Sequence, residues 1–80
     1  MNVRIYVTLK TDVLDPQGKA IEKSLHRLGY DGASHVRVGK YIEMKLETSD
    51  RKIAGVQIDE MCRKLLSNPV IEDARYEFAD

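Results

Sequence analysis

The residue types that staple or anchor a small fold are scarce in this chain of 80 residues: one cysteine, no tryptophan, one phenylalanine and two prolines. A single thiol, Cys62, cannot close an internal disulfide, so the fold must hold without covalent cross-links, and a reducing, cytoplasmic setting is expected. No apolar run approaches the ~18 residues of a membrane-spanning helix and no signal-peptide pattern is seen, so no membrane partner is expected. A surplus of charge is missing too. Thirteen Lys and Arg cancel thirteen Asp and Glu, which leaves no basic excess to neutralise the phosphates of a nucleic acid or an anionic bilayer. Linkers, repeats and low-complexity segments are not found, so residues 1–80 are expected to form a single domain. A domain of this size buries only about 60–65% of the surface its unfolded chain exposes, and association with other chains is a common supplement.

What the sequence does have is strong patterning. Val3, Ile5, Val7 and Leu9 alternate with Arg4, Tyr6, Thr8 and Lys10, which predicts a strand with one buried and one polar face. Asp15-Pro16 predicts a helix start: the Asp15 carboxylate can accept from free N–H groups, and Pro16 at the first helical position has no N–H to leave unsatisfied. Ala20, Ile21, Leu25 and Leu28 form the apolar stripe of that helix. His26 and Arg27 suit the negative end of its dipole, and Gly29 supplies a left-handed stop.

Residues 34–38 and 41–47 read as two further strands around a Gly39-Lys40 turn. Thr48, Ser49 and Asp50 are all candidate caps for a second helix running to about Leu66. Its stripe is Ala54, Ile58, Met61 and Leu65, widened by Cys62 and Leu66, with Val56 opposite. Asn68-Pro69 ends it, and residues 70–78 read as a last strand with a bulge near 71–73. The order β-α-β-β-α-β predicts an α+β, ferredoxin-like sandwich: an antiparallel sheet with both helices on one face. The free face would expose Arg4, Tyr6, Lys10, Glu43 and Lys45, as a subunit interface or as plain solvated surface.

Catalytic and metal-binding patterns are not found. His26 and His35 show no H-x-x-H or H-E-x-x-H spacing, and Cys62 sits at the edge of a helical stripe where a free thiol acts as core filler. No phosphate-binding glycine loop is seen. Asp12 and Asp15 near a helix start are explained by capping rather than acid/base chemistry. The run of stacking aromatics that an RNA-recognition domain needs is missing, as are the paired cysteines of a metallochaperone and the arginine-rich first loop of an acylphosphatase-like enzyme.

Four blocks are more specific: VLDPQGKAI after the first strand, LGYDG after the first helix, VRVGKYIEM across the Gly39 turn, and MCRKLLSNPVIED at the second helix–last strand boundary. Their order and spacing resemble the PurS family, the small subunit of phosphoribosylformylglycinamidine synthase. The resemblance implies a non-catalytic assembly subunit, with no activity alone, of an ATP-dependent, glutamine-hydrolysing ligase of de novo purine biosynthesis. It implies that a PurQ-type glutaminase releases ammonia and a PurL-type synthetase uses it, with this chain bridging the two. ATP, Mg²⁺ and glutamine would be used by the complex, and no cofactor or metal would be bound by this chain. A homodimer, or a dimer of dimers, is the implied assembly state.

The surface expected to meet partners comprises the loop 12–18, the Gly39 turn and the segment 68–72, with Gln17, Gly18, Lys19, Gly39, Lys40, Asn68, Pro69 and Glu72 as candidate residues. Turn and cap chemistry alone explains the same residue types. Asp15 and Pro16 are accounted for by helix initiation. Gly18 is not, because glycine weakens a helix interior. Val56 is a second candidate contact on the outer side of the second helix. The alternative function is a small-molecule-binding regulatory domain of ferredoxin-like fold, which a ligand would stabilise in isolation.

Overall fold

The computed structural model describes residues 1–79 and contains β1 (Asn2–Leu9), α1 (Pro16–Arg27), β2 (Gly39–Lys45), α2 (Arg51–Met61) and β3 (Glu72–Phe78). β1 is the central strand of a three-stranded sheet ordered β2-β1-β3, antiparallel on both sides. The alternation read in β1 is realised directly. Val3, Ile5 and Val7 are buried, and they stand opposite Met44, Ile42 and Lys40 on one side and Phe78, Tyr76 and Ala74 on the other. α2 lays Ala54 and Ile58 on this face, and Cys62 extends the same stripe.

Asp50 caps α2 by accepting from the N–H groups of Lys52 and Ile53 at 2.9 and 3.4 Å. The helix leaves α geometry at its end: Cys62–Leu66 form one π-helical turn, closed by the Ser67 N–H donating to the Cys62 carbonyl at 3.0 Å. The chain is α+β and ferredoxin-like in class, with one antiparallel sheet and two helices.

Three details differ from the sequence expectation. First, residues 34–38 join no sheet. The N–H groups that a strand would pair are taken by carboxylates: Val38 donates to Asp15 Oδ2 at 2.8 Å and Val36 to Glu22 Oε1 at 3.2 Å. His35 has φ 55°, which breaks the extended run. The order is therefore β-α-β-α-β. Second, α1 does not pack on the sheet beside α2. No α1 residue belongs to the core, and only Gly18 of α1 is buried. Third, no bulge interrupts β3. Its register runs without a break from Leu9↔Glu72 to Val3↔Phe78, and residues 70 and 71 belong to the preceding turn.

α1 and the strap of residues 33–38 thus form an arm beyond the end of the sheet. The radius of gyration is 16.0 Å and the extents are 48 × 27 × 14 Å, against about 12 Å expected for a compact chain of this length. The helix itself is well terminated. Asp15 accepts from the Gly18 N–H at 2.8 Å. At the other end Gly29 (φ 97°) donates to His26 and Tyr30 donates to Leu25, a complete left-handed C-terminal cap.

Candidate protein-interaction surface

The candidate residues gather at one end of the sheet. The register sets Gly39 opposite Thr8 and Glu72 opposite Leu9, and the loop leading to α1 leaves from the same end. Several links tie these pieces together. Lys10 N–H donates to the Ile71 carbonyl at 2.9 Å, and Arg37 Nη2 donates to the carbonyls of Lys10 and Val13, each at 2.9 Å. Lys40 Nζ donates to the Leu66 carbonyl at 2.9 Å, so this exposed lysine also closes the end of the π-helical turn.

Within the first candidate group, Gln17 and Lys19 are exposed and Gly18 is buried. A Cβ on Gly18 would stand 2.2 Å from the Val36 carbonyl oxygen. The close passage of the strap over the helix therefore explains the glycine that capping left unexplained. Gly39 is placed similarly: a Cβ there would meet the Val7 carbonyl at 2.6 Å. In the third group Asn68 Oδ1 accepts from the Val70 N–H at 3.1 Å, and Glu72 Oε1 accepts from the Asn68 N–H at 2.7 Å. Asn68, Pro69 and Val70 of this turn are exposed to solvent.

Asp15 does more than the sequence suggested. It is 4% exposed and receives two backbone N–H groups, Gly18 and Val38, so one carboxylate both starts α1 and fastens the strap. Those two hydrogen bonds hold its pKa below the usual carboxylate range, with the Arg37 guanidinium adding to the effect. Glu22 is lowered in the same way, chiefly by the Val36 N–H. The pairing of Asp15 with Val38 has no local sequence signal, because the two residues are 23 positions apart.

The outer sheet face carries a cluster that the sequence reading saw only in part. Tyr6 and Tyr41 are cross-strand partners with ring centroids 5.3 Å apart, and the Arg75 guanidinium lies 4.0 Å over the Tyr6 ring. The Tyr6 hydroxyl donates to Glu77 Oε1 at 2.8 Å, and that bond pushes the Tyr6 pKa up. Arg4 pairs with the same Glu77 at 3.6 Å. Tyrosine and arginine of this kind are the types enriched at protein interfaces. Val56 is exposed on α2, as the helical phase predicted.

Among the described residues no three of His, Cys, Asp and Glu converge on a possible metal position, and no helix is long and apolar enough to cross a membrane. Cys62 is buried, and desolvation raises its thiol pKa, which suits packing rather than nucleophilic attack.

A family model described as "PurS: Phosphoribosylformylglycinamidine (FGAM) synthase" matches residues 2–80. The phosphoribosylformylglycinamidine synthase subunit PurS of Synechocystis sp. is 55% identical over 74 residues, covering 92% of this chain and 74% of that protein. The same subunit of Bacillus subtilis is 53% identical over 75 residues, covering 94% of this chain and 88% of that protein. A structure of Bacillus subtilis PurS superposes with a TM-score of 0.89 at 51% identity, covering 99% of this chain and 98% of that one. A chain in the structure of PurLQS from Thermotoga maritima gives a TM-score of 0.86 at 29% identity, covering 95% of this chain and 93% of that one.

Proposed function

The chain belongs to the PurS family, and from that premise we propose that it is the small subunit of a phosphoribosylformylglycinamidine synthase in de novo purine biosynthesis. It acts by assembly: it pairs with itself and bridges a PurQ-type glutaminase and a PurL-type synthetase. The observation that carries this reading is the match to a chain of PurLQS over 95% of the present sequence. The chemistry of the chain supports it. The carboxylates with displaced pKa values, Asp15 and Glu22, are engaged with backbone N–H groups and brace the arm. ATP, Mg²⁺ and glutamine are then used by the partner subunits, in the cytoplasm.

A subunit without chemistry of its own matters here because free ammonia escapes into water and is protonated there. Docking the source and the consumer of ammonia, shielded from solvent, keeps the nucleophile available. The partner-facing surface is the end of the sheet where Gln17, Lys19, Lys40, Asn68, Pro69 and Glu72 gather, with Gly18 and Gly39 shaping its backbone. Reconstitution tests the role. Glutamine-dependent amidine synthesis should fall at least tenfold without this chain, while ammonia-dependent synthesis by the synthetase persists. An unchanged glutamine-dependent rate on omission would overturn the bridging role. For the surface, Gln17→Ala combined with Lys19→Glu leaves every hydrogen bond described above intact. That variant should weaken co-elution with the partners, and unchanged affinity would remove those two residues from the interface.

A further inference from the structure

The block LGYDG, residues 28–32, belongs neither to the core nor to the surface assigned to partners. Leu28 and Gly29 end α1. Asp31 and Gly32 form the tip of the turn that carries the chain from the helix to the strap. They are its two central residues, closed by the Ala33 N–H donating to the Tyr30 carbonyl at 3.2 Å, and both are exposed.

The chemistry open to an aspartate depends on the residue after it. The next backbone nitrogen can attack the side-chain Cγ and close a cyclic succinimide. For this the nitrogen must be uncrowded and its N–H unengaged, and the carboxyl must be free. Asp31-Gly32 meets all three conditions. A Cβ built on Gly32 would meet nothing within 4 Å. Among the described residues the Gly32 N–H makes no hydrogen bond, and the Asp31 carboxyl has neither a hydrogen bond nor an ion pair.

The other aspartates of residues 1–79 each fail a condition. Asp15 precedes Pro16, whose nitrogen carries no hydrogen. Asp50 caps α2 with its carboxylate, and Asp73 is paired with Lys10. Asp59 lies inside α2, where the next nitrogen is held by helical hydrogen bonding. Asp12 is followed by Val13, whose N–H donates to the Lys10 carbonyl at 3.0 Å and whose branched side chain crowds the nitrogen.

We propose that Asp31-Gly32 is a site of spontaneous backbone isomerisation in the folded protein. The Gly32 nitrogen forms a bond to Asp31 Cγ and gives up its proton, and the carboxyl hydroxyl departs as water. Water then adds back at either ring carbonyl. Opening at the Asp31 main-chain carbonyl leaves Gly32 joined through Cγ, an isoaspartyl linkage with one extra methylene in the main chain and a free α-carboxylate. Water is the only co-reactant. That α-carboxylate is the group that isoaspartyl methyltransferases esterify, so the turn is also where a repair enzyme of that class would act.

The consequence falls on the arm. The turn bond from Ala33 to Tyr30 and the 2.7 Å contact between His26 Nε2 and the Ala33 carbonyl both span the altered linkage. A longer main chain there frees the start of the strap, while the bond from Val38 to Asp15 holds its far end. The inference is independent of the assembly role.

The test incubates the full chain in warm, mildly acidic buffer in which Asp15 stays ionised. Isoaspartate is then labelled with a purified isoaspartyl methyltransferase and a radioactive methyl donor, and placed by peptide mapping. The tryptic peptide Leu28–Arg37 contains Asp31 as its only aspartate. Its label should exceed that at every other aspartate at least tenfold. Gly32→Ala should lower it about tenfold, because the methyl crowds the nitrogen. Asp31→Asn, with ammonia as the better leaving group, should raise it about tenfold. Equal label in the peptide that carries Asp12, or label at Asp31 only after the chain is unfolded in urea, would overturn the proposal. In the isomerised chain, amide exchange should rise about tenfold at Ala33 and stay unchanged in β1. Unchanged exchange at Ala33 would overturn the effect on the strap.

Discussion

The two parts of this chain are held by different physics. The body, β1–β3 with α2, is closed by Val3, Ile5, Val7, Ala54 and Ile58, all essentially inaccessible to water. The arm, α1 with the strap of residues 33–38, has almost no buried apolar side chain and is closed by carboxylates on backbone N–H groups and by Arg37 on two carbonyls. Apolar burial is non-directional and tolerates small shifts. Hydrogen bonds fix a geometry but add only about 0.5–1.5 kcal/mol each. The body therefore supplies stability, and the arm supplies a shaped projection on which Leu14, Ile21 and Leu28 stay exposed.

The largest effect expected is in the body. Ile5 has no exposed surface, so Ile5→Ala removes buried methylenes and leaves a cavity costing about 2–5 kcal/mol. In a domain of this size that approaches the whole stability. Urea unfolding should show a collapse of the midpoint, with body and arm lost together. If the arm alone loosened, the division of labour would be wrong.

Gly18→Ala should do the reverse, loosening the arm and sparing the body. Replacing glycine in a helix normally gains up to ~1 kcal/mol. Here the new methyl would sit 2.2 Å from the Val36 carbonyl oxygen, a backbone atom that cannot swing aside, and forced overpacking costs roughly 1–3 kcal/mol. The clash outweighs the propensity, so the strap lifts. Amide exchange should rise for Val36 and Val38 and stay unchanged in β1. Faster exchange in β1 as well would show that the arm is part of the body's cooperative unit.

Acid should reach the arm first. Asp15 and Glu22 have pKa values lowered in the folded protein by the N–H groups they accept. Their contribution is complete above the unfolded carboxylate pKa of ~4 and is lost as pH falls through the lowered folded values. Between pH 7 and 5 the strap should stay fastened; below about pH 4 its exchange should accelerate ahead of that of the sheet. Asp15→Asn should blunt this response, because an amide has one accepting oxygen for the two N–H groups at a charged carboxylate's place. A wild-type strap as well protected at pH 3 as at pH 7 would contradict the latch.

The body was legible in the sequence and the arm was not, for a physical reason. Alternation in residues 3–9, the Asp50 cap and the stripe through Ala54 and Ile58 are local patterns whose outcome is burial in the same chain. Val36 and Val38 alternate with His35 and Arg37 as a strand would, but periodicity does not report where backbone N–H groups go. Here they go to side chains of Asp15 and Glu22, 23 and 14 residues away. The stripe of α1 was expected to pack on the sheet, yet no α1 residue belongs to the core. An amphipathic pattern says that a face needs cover, not which chain provides it. The apparent bulge near Ile71 was a phase change caused by the turn that Asn68 and Glu72 close. Gly18 was recognised as unexplained by capping, and its cause, the Val36 carbonyl, becomes visible only in three dimensions.

The smallest effect expected separates a polar contact that water can replace from one it cannot. Lys10 Nζ and Asp73 Oδ1 are 2.7 Å apart on the body's outer face, as short as the contacts Asp15 makes in the arm. Their side chains are 37% and 65% exposed, so water solvates both charges whether or not they touch, and such pairs contribute about 0–1 kcal/mol. A double-mutant cycle with Lys10→Met and Asp73→Asn should give a coupling at the low end of that range. It should shrink further in 1 M salt, where the screening length is only about 3 Å. At Asp15, which is shielded from water, salt should leave the strap's protection unchanged. A salt-insensitive coupling at Lys10–Asp73 would mean that this surface is drier than its exposure indicates. The contrast between body and arm would then rest on distance and partner type rather than on access to water.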